Sequence, residues 1–259
     1  MSIAKKTKEE IETLAAGGEI LATILHKLAE YSKPGVSTED IDDEAMRLAE
    51  EYQVKPVLLG YHPSFAPIPF PAAICTSVND VVQHGIPDPD IVLEEGDIIN
   101  IDMSIEYRGL VVDSGLTVPV GKIDKESQRL IDANREALAL GIKAAVPGNH
   151  IGDIGAAMSK CISDKGFSMV EALCGHGVGY EVHEEPQIPN VGKAGSGPLI
   201  EVGHVYAIEP IVNIGSKEVV FDDEGDGYTV YTADGSRSSH FEHTVAITEE
   251  GPRILTKRK

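Results

Sequence analysis

The chain of 259 residues contains no tryptophan, and aromatic residues make up only 5% of it. Its 42% hydrophobic and 25% charged residues still give an ordinary globular balance, which excludes intrinsic disorder. Cysteine is scarce. Cys75, Cys161 and Cys174 stand far apart with no Cys-x-x-Cys pair, which excludes a disulfide framework and a zinc finger. No stretch approaches ~18 consecutive apolar residues, and no N-terminal run has the apolar centre of a signal peptide, so neither a membrane span nor a secretory leader is expected. Cations are in deficit, with 22 Lys and Arg against 42 Asp and Glu and a formal net charge of -20. Such a surface repels nucleic acid and anionic lipid, which argues against binding to either. Several catalytic signatures are missing too: there is no Gly-x-Ser-x-Gly elbow, no phosphate-binding loop and no dinucleotide fingerprint. A protein of the reducing cytoplasm is the expectation.

What is present is a readable order of elements. Ile11, Leu14, Leu21, Leu25 and Leu28 recur on one helical face and predict a helix over 8–31, stopped by Lys33-Pro34-Gly35. Ser37 with Asp40 three residues on resembles a capping box and opens a second helix, to about Tyr52. The proline-rich stretch 54–73 must be loop or sheet edge. Ile98–Ser104 and Val111–Val120 read as strands joined by a polar turn, 126–145 and 151–165 as helices, and the rest as Gly-rich loops with strands at about 204–214, 218–222, 228–232 and 240–248. A repeat is visible. Leu93-Glu-Glu-Gly-Asp-Ile-Ile-Asn-Ile-Asp102 parallels Ile200-Glu-Val-Gly-His-Val-Tyr-Ala-Ile-Glu209, each ending in a carboxylate after an apolar strand. Two related halves facing each other would bring Asp102 and Glu209 together. No linker separates them, so a single domain over 1–259 is expected, with halves of about 1–120 and 121–259.

Four acids sit where a solvent-facing reading fails: Asp102, Asp113, Glu209 and Glu242 each have apolar strand neighbours. A buried carboxylate is costly unless paired or bound to metal. His176, in Cys-Gly-His-Gly-Val-Gly, adds a nitrogen donor. His183-Glu184 is not His-Glu-x-x-His, because residue 187 is Gln. One His with four carboxylates is a mostly hard donor set that suits Mn, Co, Fe or Mg, and its charge suits two ions rather than one. Such a site hydrolyses amide or phosphate bonds. Asp113-Ser114-Gly115 also resembles an aspartic-protease motif, but there is no second copy of it.

Taken together, the stretches 75–87, 175–186 and 232–244 resemble those of the type I methionine aminopeptidases, and the likeness runs from about Thr7 to Thr256. It implies an α+β pita-bread fold of two pseudo-symmetric halves. It also implies a divalent metal pair (Co, Mn, Fe, Ni or Zn) between them. Asp102 would hold one metal, Asp113 and Glu242 would bridge both, and His176 and Glu209 would complete the other. Glu209 would also shuttle protons, His183 would stabilise the oxyanion, and His84 would hydrogen-bond the scissile amide or the leaving amine. The implied methionine pocket is Tyr61, Phe70, Cys75, Val182 and Tyr228. Asn79, Val81 and Ser238 match positions that hold a monovalent cation. The implied activity is removal of the initiator methionine from nascent polypeptide N-termini, including those at the ribosome, with a small second residue preferred, by a cytoplasmic monomer. The chain departs from the pattern in a longer loop between His62 and Phe70 and at Val182, Ile211 and Tyr228. A proline-specific pita-bread aminopeptidase or dipeptidase and a catalytically silent pita-bread binding module are the rival readings.

Overall fold

The computed structural model describes residues 3–64, 66–222 and 225–258; Phe65, in the longer loop noted above, lies outside them. Helix α1 (Lys8–Tyr31) starts at a capping box formed by Thr7 and Glu10, and α2 (Thr38–Glu51) at the one formed by Ser37 and Asp40. Three short strands follow: β1 (Lys55–Pro56), β2 (Cys75–Val78) and β3 (Val81–Gln83). A long hairpin, β4 (Ile98–Tyr107) and β5 (Leu110–Pro119), leads to α3 (Lys125–Ala144) and α4 (Ile151–Lys165). The second half of the chain continues with β6 (Ser168–Met169), β7 (Cys174–Gly177), β8 (Glu184–Pro189), β9 (Val205–Ile208) and β10 (Ile211–Asn213). It ends with β11 (Val219–Phe221), β12 (Val230–Thr232), β13 (Ser238–His240), β14 (His243–Thr248) and β15 (Gly251–Ile254). All described strand pairs are antiparallel.

Alternation along the strands builds two cores. Ile99, Ile101, Met103 and Ile105 of β4 point to one side and pack with Leu14, Leu21, Leu25 and Leu28 of α1 and Ile41 and Leu48 of α2. On β9, Tyr206 and Ile208 pack with Leu130 and Ala137 of α3 and Ile154 and Met158 of α4, while Val205 and Ala207 belong to the first core. The β9–β14 layer is therefore covered on both faces. The other face of β4, carrying Asn100, Asp102 and Ser104, turns toward the second half of the chain.

Three expected segments come out differently. The strand expected at 204–214 is two, β9 and β10, separated at Glu209-Pro210. The strand expected at 240–248 breaks at Phe241-Glu242, between β13 and β14. Pro210 has no N–H to give a ladder, so a break there is physically required. The partners match: β9 pairs with β14 in one sheet and β10 with β13 in another. Glu209 and Glu242 thus lie at the corner where a strand pair passes from sheet to sheet. Third, the glycine-rich Cys174–Gly177 is a strand rather than a loop. A Cβ at Gly177 would sit 2.3 Å from the Glu185 carbonyl oxygen, so glycine here permits close strand packing.

Gly18 on α1 presses against the backbone just after β15: a Cβ there would sit 2.4 Å from the Leu255 carbonyl oxygen. Alanine would gain about 1 kcal/mol of helix propensity, but the backbone clash outweighs it. Gly18→Ala should lose about 1–3 kcal/mol overall. At Gly141 the nearest atoms are the flexible end of Met158, so Gly141→Ala should be close to neutral. Urea unfolding of the two variants checks this; equal midpoints would contradict it.

Candidate active site

The β4–β5 hairpin places the first two acids. Asp102 is opposite Gly115 and Ser104 is opposite Asp113, so Asp102 and Asp113 are diagonal neighbours on one face of the sheet. The strand corner places the other two, Glu209 and Glu242. His176 on β7 pairs with Ala207 on β9, two residues before Glu209, and its Nε2 lies 3.4 Å from Glu209 Oε1 and 3.9 Å from Asp113 Oδ2. A seam of hydrogen bonds binds the hairpin to the corner. The Asp113 N–H donates to Thr244 Oγ1 (2.9 Å), whose hydroxyl donates back to the Asp113 carbonyl (2.7 Å). The Glu242 N–H donates to the Gly115 carbonyl (2.8 Å), and the Ser114 hydroxyl to the Glu242 carbonyl (2.8 Å).

The four carboxylates are buried, Asp102 7% exposed, Asp113 6%, Glu209 4% and Glu242 2%. Burial pushes Asp102 and Glu242 well above the usual carboxylate range, and repulsion from Asp113 adds to it at both. Asp113 is also raised, chiefly by burial. For Glu209 burial acts the same way, but His240 and His176 outweigh it and hold the group below its ordinary value. Asp113 Oδ1, Glu242 Oε1 and His240 Nε2 are buried without a hydrogen-bond partner. Their donor atoms fall into two groups that share Glu242: Asp113, His176 and Glu242, and Asp102, His240 and Glu242. Within each group the ligand atoms lie within 4.8 Å of one another. Orphaned anionic oxygens and imidazole nitrogens gathered this closely fit a divalent cation of the first transition row.

The acids open onto a cavity of about 530 Å³. His84 and His183 both line it, as do Tyr61, Phe70, Cys75 and Tyr228. Val182 does not. Its side chain is buried in the first core, because it alternates with His183, which takes the cavity side. Asn79 and Ser238 are brought together away from the cavity, the Ser238 N–H donating to the Asn79 carbonyl (2.8 Å), with Val81 at the start of β3. Burial lowers both His84 and His183 to about 4, so both rings are neutral at pH 7. Burial also raises the Cys75 thiol far above its ordinary value, which makes it wall rather than nucleophile.

The loop that carries His183 is clamped from the start of the chain. Lys6 Nζ lies 2.5 Å from Glu184 Oε2 with both side chains nearly enclosed, and Glu184 Oε1 accepts from the N–H groups of Tyr180 (2.5 Å) and Glu181 (3.1 Å). Two residues escape the sequence reading. Gln83 donates from Nε2 to Glu209 Oε2 (3.1 Å), and His240 lies 3.5 Å from the same oxygen. Burial alone would lower His240, but Glu209, Asp102 and Asp113 outweigh it and raise it. The available signal for His240 was its place two residues before Glu242, on the same side of an expected strand.

Removing one of the crowded charges should stabilise the metal-stripped protein. A carboxylate raised in the folded state binds a proton that the unfolded chain, near 4, has lost. The resulting penalty is absent below about pH 4 and grows as pH rises toward the folded value. Asp102→Asn should therefore raise the thermal midpoint of stripped protein by several degrees at pH 8 and by less at pH 5. Scanning calorimetry at both values checks it; an equal or lower midpoint at pH 8 would refute the electrostatic account.

Residues 12–249 match the model of metallopeptidase family M24. The chain is 45% identical to the methionine aminopeptidase of Aquifex aeolicus, over 99% of this chain and all of that protein. It superimposes on the crystal structure of methionine aminopeptidase from Thermotoga maritima with a TM-score of 0.94 at 38% identity, covering 99% of this chain and all of that one. The prolidase of Pyrococcus furiosus, 23% identical with a TM-score of 0.74 and 66% of its length covered, shares the fold alone. The expected α+β pita-bread architecture is thereby met. With a family match over nearly its whole length and full-length relatives well above 30% identity, the chain belongs to metallopeptidase family M24, among the methionine aminopeptidases.

Proposed function

We propose that the chain removes N-terminal methionine from peptides and nascent proteins whose second residue is small, by hydrolysis at a pair of divalent metals. One observation carries the reading: two groups of possible ligands share Glu242, and their acids Asp102, Asp113 and Glu242 line one cavity with His176, which suits a pair of adjoining cations. Asp102, Asp113, His176, Glu209 and Glu242 would hold the metals. When bound, they supply Lewis acidity to the scissile carbonyl and make a water acidic near neutral pH.

The chain's own groups do the rest. Glu209, kept ionised by His176 and His240, can take a proton at Oε1, since Oε2 is engaged by Gln83. His183 is neutral. Its Nδ1 lies 3.0 Å from the Tyr61 hydroxyl; with that hydroxyl donating, Nε2 carries the proton and can donate to the oxygen that gains charge in the transition state. His84, with φ of 59° at the end of β3, presents its neutral ring to the same cavity and can hold the scissile amide or the departing amine. Phe70 and Tyr228, edge to face at 5.1 Å, form an apolar recess with Cys75 and Tyr61 that suits an unbranched thioether. Asn79, Val81 and Ser238 remain a proposed monovalent-cation position. No described helix is long and apolar enough to cross a membrane, and the substrate places the work of this proposed monomer in the cytoplasm.

Stripped protein reloaded with Co²⁺ or Mn²⁺ should release methionine from Met-Ala-Ser and leave Pro-Ala-Ser and Met-Leu-Ser intact. Cleavage of the proline peptide would instead support the proline-specific reading, and no cleavage with metal bound would support the silent module. Asp102→Asn and Glu242→Gln should keep the native circular-dichroism spectrum and lose at least about a thousandfold in kcat/KM, or about 4 kcal/mol of transition-state stabilisation. Near-full activity in either variant would refute the assignment of these residues.

A further inference from the structure

We propose that His240 is itself a metal ligand, its Nε2 completing with Asp102 and Glu242 a nitrogen-bearing cation position beside that of Asp113, His176 and Glu242. The inference rests on the metallopeptidase reading of the site and enlarges the ligand set named above.

Asn100 on β4 sets the protonation pattern of the ring. Its Nδ2 donates to the His240 carbonyl (3.0 Å), which turns Oδ1 toward the ring's Nδ1 at 3.4 Å. An amide oxygen only accepts, so Nδ1 carries a ring proton and Nε2 is the nitrogen that a metal could take in place of a second one. Ligating histidines are held in this way, with the other ring nitrogen donating to an oxygen behind it. The ring is held from the backbone as well. The His240 N–H donates to Thr117 Oγ1 (2.9 Å), and the Thr117 hydroxyl donates to the His240 carbonyl (2.8 Å). Gly115, opposite Asp102, makes the space: a Cβ there would lie 3.1 Å from His240 Cε1.

Nε2 points at carboxylates. It is fully buried and has no hydrogen-bond partner; Glu209 Oε2 is 3.5 Å away, and one ligand atom each of His240, Asp102 and Glu242 lie within 4.8 Å of one another. A lone pair aimed at anionic oxygens is repelled by them unless a cation lies between. A proton on Nε2 could reach Glu209 but would leave Glu242 Oε1, also unpartnered, unsatisfied. One metal ion answers both. With His176 on one position and His240 on the other, each ion gains an imidazole, which moves the donor set away from Mg and toward Co, Fe, Ni and Zn.

X-ray absorption on protein loaded with two equivalents of Co²⁺, together with calorimetric titration, tests this. The wild type should show two imidazoles per metal pair. His240→Gln should show one, with affinity for one of the two ions reduced about tenfold or more and the near-ultraviolet circular dichroism unchanged. Two bound ions sharing a single imidazole in the wild type would overturn the assignment and leave the metallopeptidase reading intact. Failure to bind Co²⁺ at all would overturn both. A weakened affinity in His240→Gln with the imidazole count unchanged would also overturn it, reducing His240 to a partner of Glu209.

Discussion

Mutual repulsion among four buried carboxylates is the constraint around which the rest of this molecule is arranged. Two like charges 4 Å apart repel by about 4 kcal/mol at an effective dielectric of 20, and Asp102, Asp113, Glu209 and Glu242 converge from two parts of the chain. Nothing in the carboxylates themselves would keep them together. The restraint comes from groups that carry no charge: the reciprocal Thr244–Asp113 pair, the Ser114 hydroxyl and Glu242 N–H, and Thr117 and Asn100 on the His240 backbone. The two apolar cores on the far sides of the sheets then supply the stability that the site consumes.

The corner geometry has the same origin. A continuous ladder through 205–213 would use up the backbone groups around Glu209 and hold its side chain to the pleat. Breaking both strands of the pair at one level, at Glu209-Pro210 and Phe241-Glu242, frees two carboxylates to turn toward the hairpin. The clamp on the His183 loop is a second such arrangement. Lys6 and Glu184 form a nearly enclosed ion pair, which is costly to bury unless its remaining oxygen is satisfied. Here that oxygen accepts two backbone N–H groups of the loop, so the cost of burying the pair also fixes the position of the neighbouring His183 imidazole, which lines the cavity.

The four helices were legible because each has a strong apolar stripe and either a cap or a proline-glycine stop, features written within a few residues of sequence. The acids stood out for a related reason, since a carboxylate set among β-branched neighbours contradicts its surroundings. The strand breaks were less legible, although Pro210 announces one of them. Cys174–Gly177 misled because glycine signals a turn unless something packs against it, and what packs here is the backbone of Glu185 on the neighbouring strand β8, a pairing that glycine spacing does not announce. Gln83 and His240 escaped altogether. Both are polar residues in short strands; His240 offered only its place two residues before Glu242, and the long-range pairing of sheets is what turns both toward Glu209. Val182 fails as a pocket residue for a local reason that was available: it alternates with His183, and only one of the two can face the cavity.

The longer loop after His62 bears on specificity through Tyr228. Its ends close on each other, Phe70 N–H donating to the Tyr61 carbonyl (2.8 Å) and Gly60 N–H to that of Phe70 (2.9 Å). The loop leans on the opposite wall of the cavity. The Tyr228 hydroxyl donates to the Ile68 carbonyl (2.6 Å), and Gly227 lies so near Pro67 that a Cβ would come within 2.4 Å of it. Tyr228 is thereby pinned at its polar end and stacked edge-on against Phe70 at its apolar body. Tied to the loop, Tyr228 becomes a fixed boundary, because moving the ring outward would break its half-buried hydrogen bond to Ile68. The longer loop therefore fixes the position of Tyr228 in the cavity wall.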